Sequence, residues 1–164
     1  LGLNDESRES RLAAIQAVGM VKEQSAISRL SEIIKSSDFQ DERLAATMSL
    51  GFIGNSKSIP LLNSLLDDDE PNIRWDAAIG LAKMGEDSSI PTIQNLMDRN
   101  YLSTFPELDQ NEVTKVILTA IETTTIIVDQ RFEPLLETLA SSDENLKVRN
   151  AAIKTLKFAY NKKT

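Results

Sequence analysis

Neither cysteine nor histidine occurs anywhere in the chain. Without thiols there is no disulfide framework and no thiolate to serve as nucleophile or metal ligand. Without imidazole the usual general base and the commonest neutral metal ligand are both missing. Aromatic residues make up only 5% of the chain, which is little for a stacking surface. No apolar run approaches the roughly 18 residues of a membrane span. Basic charge is also scarce: 18 Lys and Arg face 25 Asp and Glu, a net charge of −7. A phosphate-backbone binder is normally basic, because Lys and Arg displace counterions on contact. The balance therefore argues against nucleic acid. There is no initiator Met before Leu1-Gly2-Leu3 and no charged-then-apolar leader. We expect a processed product or an excised fragment, with a leader, a lipid anchor or more repeats as the candidates ahead of Leu1, in a compartment that is cytoplasmic or periplasmic/exported.

What is present is an internal period. Arg43-Leu-Ala-Ala46-Thr-Met-Ser-Leu50 returns as Arg74-Trp-Asp-Ala77-Ala-Ile-Gly-Leu81. In both strings Ala follows Arg by three, Leu by seven and Gly (Gly54, Gly85) by eleven. Arg11, Ala14 and Val18 repeat the first part, as do Arg149, Ala152 and Leu156, while Thr114, Ile117 and Ile121 form a copy that has lost its Arg. A second apolar pattern follows each anchor, as in Ile59-Pro60-Leu61-Leu62 with Leu65-Leu66, and Ile90-Pro91 with Ile93 and Leu96-Met97. Spacings of three and four are helical. Pro60 and Pro91 suit a first helical turn, and Gly54 and Gly85 suit a left-handed helix end.

The spacing predicts nine helices, near 7–22, 25–36, 41–53, 58–67, 72–84, 89–99, 112–127, 132–141 and 146–161. Each unit is then a pair of short amphipathic helices that must stack on its neighbours to bury its apolar faces. The pairs Ala13-Ala14, Ala45-Ala46, Ala77-Ala78 and Ala151-Ala152 allow close helix approach. The expected fold is all-α: one domain over 1–164, a right-handed solenoid of about four and a half helical hairpins, with a longer connection at 100–110. In that connection Tyr101, Leu102, Phe105 and Leu108 are expected to fold back over the adjacent units.

The string Asp68…Ile73-Arg74-Trp-Asp-Ala77-Ala78-Ile-Gly-Leu81 resembles a HEAT repeat, nearest to the short variety of the phycobilin lyases. The resemblance implies a hydrogen-bonded ladder in which a turn Asp stands six residues before the Arg of the second helix. Asp5 and Arg11, Asp68 and Arg74, and Asp143 and Arg149 keep that spacing. Asp38 is five before Arg43, and Thr114 has no matching Asp, so the ladder should be interrupted at the fourth unit. The family's di-iron hydroxylases carry His-Glu pairs, which this chain cannot supply. Its DNA glycosylases carry a basic, aromatic-lined cleft, which an acidic chain poor in aromatics does not match.

Chemistry is otherwise thin. Asp67-Asp68-Asp69-Glu70 lacks the alternation and glycine of a Ca²⁺ loop, and Gly51-Phe-Ile-Gly54 reads as a helix end rather than a phosphate cradle. No metal site, cofactor or catalytic residue is expected. The feature that stands out is apolar. If positions three, four and seven after each anchor face the core, positions one, five and nine face away from it. These read Leu12, Gln16, Met20, then Leu44, Met48, Phe52, then Trp75, Ile79, Lys83. We expect Leu12, Leu44, Met48, Phe52, Trp75 and Ile79 to merge into an apolar ridge on the concave face that binds a protein partner. The function expected is a non-catalytic scaffold; the alternative is an accessory subunit of a bilin-lyase-type or other modifying enzyme.

Overall fold

The computed structural model describes residues 2–162; any segment ahead of Leu1 lies outside them. Among the described residues the regular structure is entirely helical. The α-helices are α1 (Arg8–Met20), α2 (Ile27–Ser36), α3 (Gln40–Ile53), α4 (Ile59–Ser64), α5 (Pro71–Lys83), α6 (Ile90–Leu96), α7 (Arg99–Leu102), α8 (Gln110–Thr123), α9 (Glu133–Ser142) and α10 (Leu146–Phe158). α7 has no counterpart among the nine expected helices. It bridges the end of the expected helix 89–99 and the start of the 100–110 connection, where the Asp98 carboxylate caps the Asn100 N–H. Leu102 is fully buried there, and Tyr101 meets Phe105 edge to face with ring centroids 5.1 Å apart. α8 starts two residues earlier than the pattern predicts, because Asp109 and Glu112 close a reciprocal capping box.

The residues that open and close the helices follow local chemistry. Glu23, Asn55 and Asp129 each accept the N–H two residues on, starting a 3₁₀ turn that runs into α2, α4 and α9. Pro60 and Pro134 then sit where a missing N–H costs nothing. Gly54 and Gly85, eleven after their anchors, take φ of 65° and 80°. Lys22 occupies the same place after Arg11 and is forced to φ 55°, a conformation that costs a residue with a Cβ.

The chain divides into two compact units, Leu1–Ser89 and Ile90–Thr164. In the first, α1, α3 and α5 lie side by side, with α2 packed on α3 and α4 on α5. The layers close over Ile15, Leu30, Ala46, Leu50, Leu62, Ile73, Ala77 and Leu81. In the second, α10 packs on both α8 and α9, and α6 packs on α8; Ile117, Phe132, Leu136, Val148 and Ala152 are fully buried there.

One register repeats along the first unit. A Cβ added to Gly19, eight after Arg11, would lie 2.5 Å from Ser49 Oγ, six after Arg43. A Cβ on Gly51, eight after Arg43, would lie 2.9 Å from the Cα of Gly80, six after Arg74. Small residues at both places let backbones approach, and Ser49 Oγ uses the closeness to donate to the Ile15 carbonyl at 2.8 Å. On a helix of about 3.6 residues per turn, position eight lies about 80° and position six about 240° round from the anchor. These two directions are the sides by which each anchor helix meets the next and the previous one.

The arginines form two kinds of bond. Within a repeat, Arg11, Arg74 and Arg149 donate to the backbone carbonyls of the turn, at Asp5 and Glu6, Asp68 and Asp69, and Asp143 and Glu144. Between successive repeats, carboxylates take over: Arg43 reaches Asp68 at 2.5 Å, and Arg11 reaches Glu42 at 2.8 and 3.0 Å. Glu42, buried and also bonded to Ser37 Oγ, stands where the out-of-register Asp38 does not reach. Among the described residues, the Asp5 carboxylate accepts only the Ser7 N–H. The expected gap at Thr114 is filled from elsewhere: Arg99 of α7 forks onto both oxygens of Asp143 at 2.7 and 2.9 Å. Thr114 itself donates to the Gln110 carbonyl within its own helix at 2.8 Å and accepts from Asn145 Nδ2 at 3.4 Å.

Candidate functional site

The outer side of the α1–α3–α5 layer lies between the two inter-helix directions, near 160° from the anchor. Positions five and nine, at about 140° and 180°, point there squarely. Position one, at about 100°, is only about 20° from position eight and leans into the seam with the next helix. Exposure follows this geometry. Met20 is 79% exposed, and Met48 and Phe52 are each 42% exposed. Leu12 and Leu44 are half-buried against the core, and Ile79 is half-buried.

Trp75 departs from the expected ridge. It is only 6% exposed, and so belongs to the packed interior. α5 is apolar round nearly its whole circumference, with Ile73, Ala77, Ala78, Gly80, Leu81 and Ala82 also buried, and a position-one indole enters the seam. The apolar outer surface is therefore Met20, Met48 and Phe52, bordered by Leu12, Leu44 and Ile79. In the second unit the matching positions are Thr119 and Thr123, then Lys154 and Phe158; Thr123 is buried and Phe158 exposed, so no continuous row forms.

Charge enters at two points. Lys83 Nζ sits over the Phe52 ring, 4.4 Å from its centroid, a cation–π contact that holds the ring's orientation. Asp76 is half-buried on α5; burial pushes its carboxyl up to about 6, against the opposing field of Lys83. Sequence reasoning had absorbed Asp76 into the repeat string. Its signal was visible in retrospect: position two is Ala13, Ala45 and Ala151 in the other Arg-anchored units, and a carboxylate replaces them once. Among the described residues no group of three or more carboxylates is arranged to hold a metal ion. No helix among them is long and apolar enough to cross a membrane.

A family model described as HEAT repeats matches residues 27–104. That segment, just under half of the chain, carries HEAT repeats. No curated protein sequence matches the chain. Among solved structures, this chain is similar to one from the complex of CpcE and CpcF of phycocyanin lyase from Nostoc sp. PCC7120, with TM-score 0.73 and 20% identity. The match covers 98% of this chain and 63% of that one, and at that identity it speaks for the fold: an all-α solenoid of HEAT-like hairpins.

Proposed function

We propose that this protein is a non-catalytic scaffold that docks a protein partner on the outer side of α1, α3 and α5. The observation that carries the reading is the exposure of Met20, Met48 and Phe52 in adjacent rows of one closely packed layer. Water-exposed apolar groups in contiguous rows gain about 25 cal/mol for each Å² a partner covers. Methionine adapts its shape to what it meets, and Phe52 is held in place by Lys83. The underlying layer loses little freedom on binding, since glycine and serine contacts lock its helices at short range.

The test is affinity capture from the native cell with the wild-type chain and with Met48→Asp. We expect a partner held by the first and lost by the second, with the helical circular dichroism unchanged. Equal capture by both chains would overturn the reading.

A second reading has one observation behind it, the structural similarity to a phycocyanin lyase complex: an accessory subunit of a modifying enzyme. Its check is direct. Covalent attachment of pigment to a phycocyanin apoprotein only when this chain is present would favour it and remove the non-catalytic scaffold.

A further inference from the structure

Asp76 sits beside the apolar surface with no hydrogen-bond or ion-pair partner among the described residues, and only the field of Lys83 offsets its charge. The register that sets Gly80 against Gly51 places Asp76, one turn earlier, level with Thr47 and Met48 of α3. Compare the other buried carboxylates of the anchor turns. Glu42 accepts from Arg11, Asp68 from Arg43 and Asp143 from Arg99. Asp76, among the described residues, accepts no hydrogen bond and joins no ion pair. Of the two cations on its helix, Arg74 is spent on the Asp68 and Asp69 carbonyls, and Lys83, two turns away, acts on it only through its field while its ammonium sits over the Phe52 ring. A half-buried carboxylate without a partner is unfavourable in the free chain. That cost is relieved when a cation arrives from outside.

Resting on the docking face proposed above, we infer that the partner presents a lysine or arginine among apolar side chains, and that Asp76 accepts it while Met48 and Phe52 cover its apolar neighbours. Charge complementarity supports this occupant over a purely apolar one. The chain carries −7 overall, which steers a basic segment toward it, and desolvation at the patch strengthens a charge-assisted bond that surface screening would otherwise weaken. Asp76 is thereby a specificity residue, because a partner with an apolar group at that point leaves the carboxylate buried and unpaired.

The experiment selects a displayed library of random peptides on the wild-type chain at neutral pH, then measures the enriched peptides in a double-mutant cycle. One arm replaces the peptide's basic residue by methionine; the other is Asp76→Asn. We expect enrichment of one Lys or Arg flanked by apolar residues. Each single change should weaken binding by about tenfold to a hundredfold, the scale of one hydrogen bond to a charged group. Both together should weaken it little further. Binders that lack a basic residue, or that ignore Asp76→Asn, overturn the inference while leaving the docking face intact provided Met48→Asp still abolishes them. Binders indifferent to Met48→Asp, or no binders at all, overturn the docking face and the inference together.

Discussion

Two ion pairs of this chain rank oppositely by length and by burial, and the stability of their variants decides which matters. Arg8 meets Asp41 at 2.6 Å, with side chains 50% and 43% exposed. Arg99 meets Asp143 at 2.7 Å, yet the Asp143 side chain is 1% exposed and Arg99 24%. In water the shorter pair gains little, because solvent and salt screen it and two long side chains lose freedom. Around Asp143 the carboxylate has no water to fall back on. Removing a partner from a buried pair costs about 3–5 kcal/mol. Here Asn145 still donates its N–H at 2.8 Å, and Arg99 is partly solvated. We therefore expect Arg99→Ala to cost about 2–3 kcal/mol, near the scale of one or two charge-assisted bonds. Arg99→Lys, which keeps the charge but not the fork, should recover part of it. Arg8→Ala should leave the urea midpoint unchanged. The pH dependence has a definite sign. Burial raises the Asp143 carboxyl, but the Arg99 fork and the Asn145 N–H outweigh it, and the net direction is below the ordinary carboxylate range. A depressed folded value gives stability that is present above that range and lost as pH falls through it, so wild type and Arg99→Ala should converge in acid. An Arg8→Ala variant that loses as much stability as Arg99→Ala would refute the reasoning.

The other expectations use the same urea assay. Asp76→Asn should stabilise the chain at pH 7 by about 1–2 kcal/mol, since a carboxyl raised from about 4 to about 6 carries roughly 1.4 kcal/mol per unit before discounting its partial exposure. Wild-type stability should fall as pH rises from about 4 to about 6, and the advantage of the variant should vanish below about pH 4; a pH-independent difference would remove burial as the cause. Gly80→Ala forces a Cβ against the Gly51 Cα and should cost about 1–3 kcal/mol by overpacking, whereas an unchanged midpoint would mean that α3 and α5 separate freely. Lys22→Gly should stabilise by about 0.5–1 kcal/mol, because glycine adopts the observed φ of 55° without the Cβ penalty.

Much of the architecture was legible because its signals are local. The Arg–Ala–Leu–Gly spacing marks the anchor helices, Pro60 and Pro91 mark helix starts, and Gly54 and Gly85 take the left-handed ends they suggest. What escaped depends on where a helix face points and on what crosses the period. Trp75 looked outward only while position one was grouped with five and nine; the Gly19–Ser49 and Gly51–Gly80 contacts fix the rotation that carries it into a seam. Arg99 replaces the arginine missing at Thr114, but it stands at the end of the expected helix 89–99 and not at an anchor position, so no spacing links it to Asp143. Lys22 hides a glycine position because a chain can tolerate one strained residue. Asp76 was read as one letter of a repeat, and its meaning comes from the absence of a partner in three dimensions.

The central claim is that the outer side of α1, α3 and α5 is where a partner sits. Its most direct test places a photo-crosslinking amino acid at Met48, at Phe52 and, as a control on an exposed site of α2, at Glu32, each in the full chain in its native cell. We expect discrete crosslinked adducts from positions 48 and 52 and none from 32; adducts from position 32 alone, or equally from all three, would contradict the account.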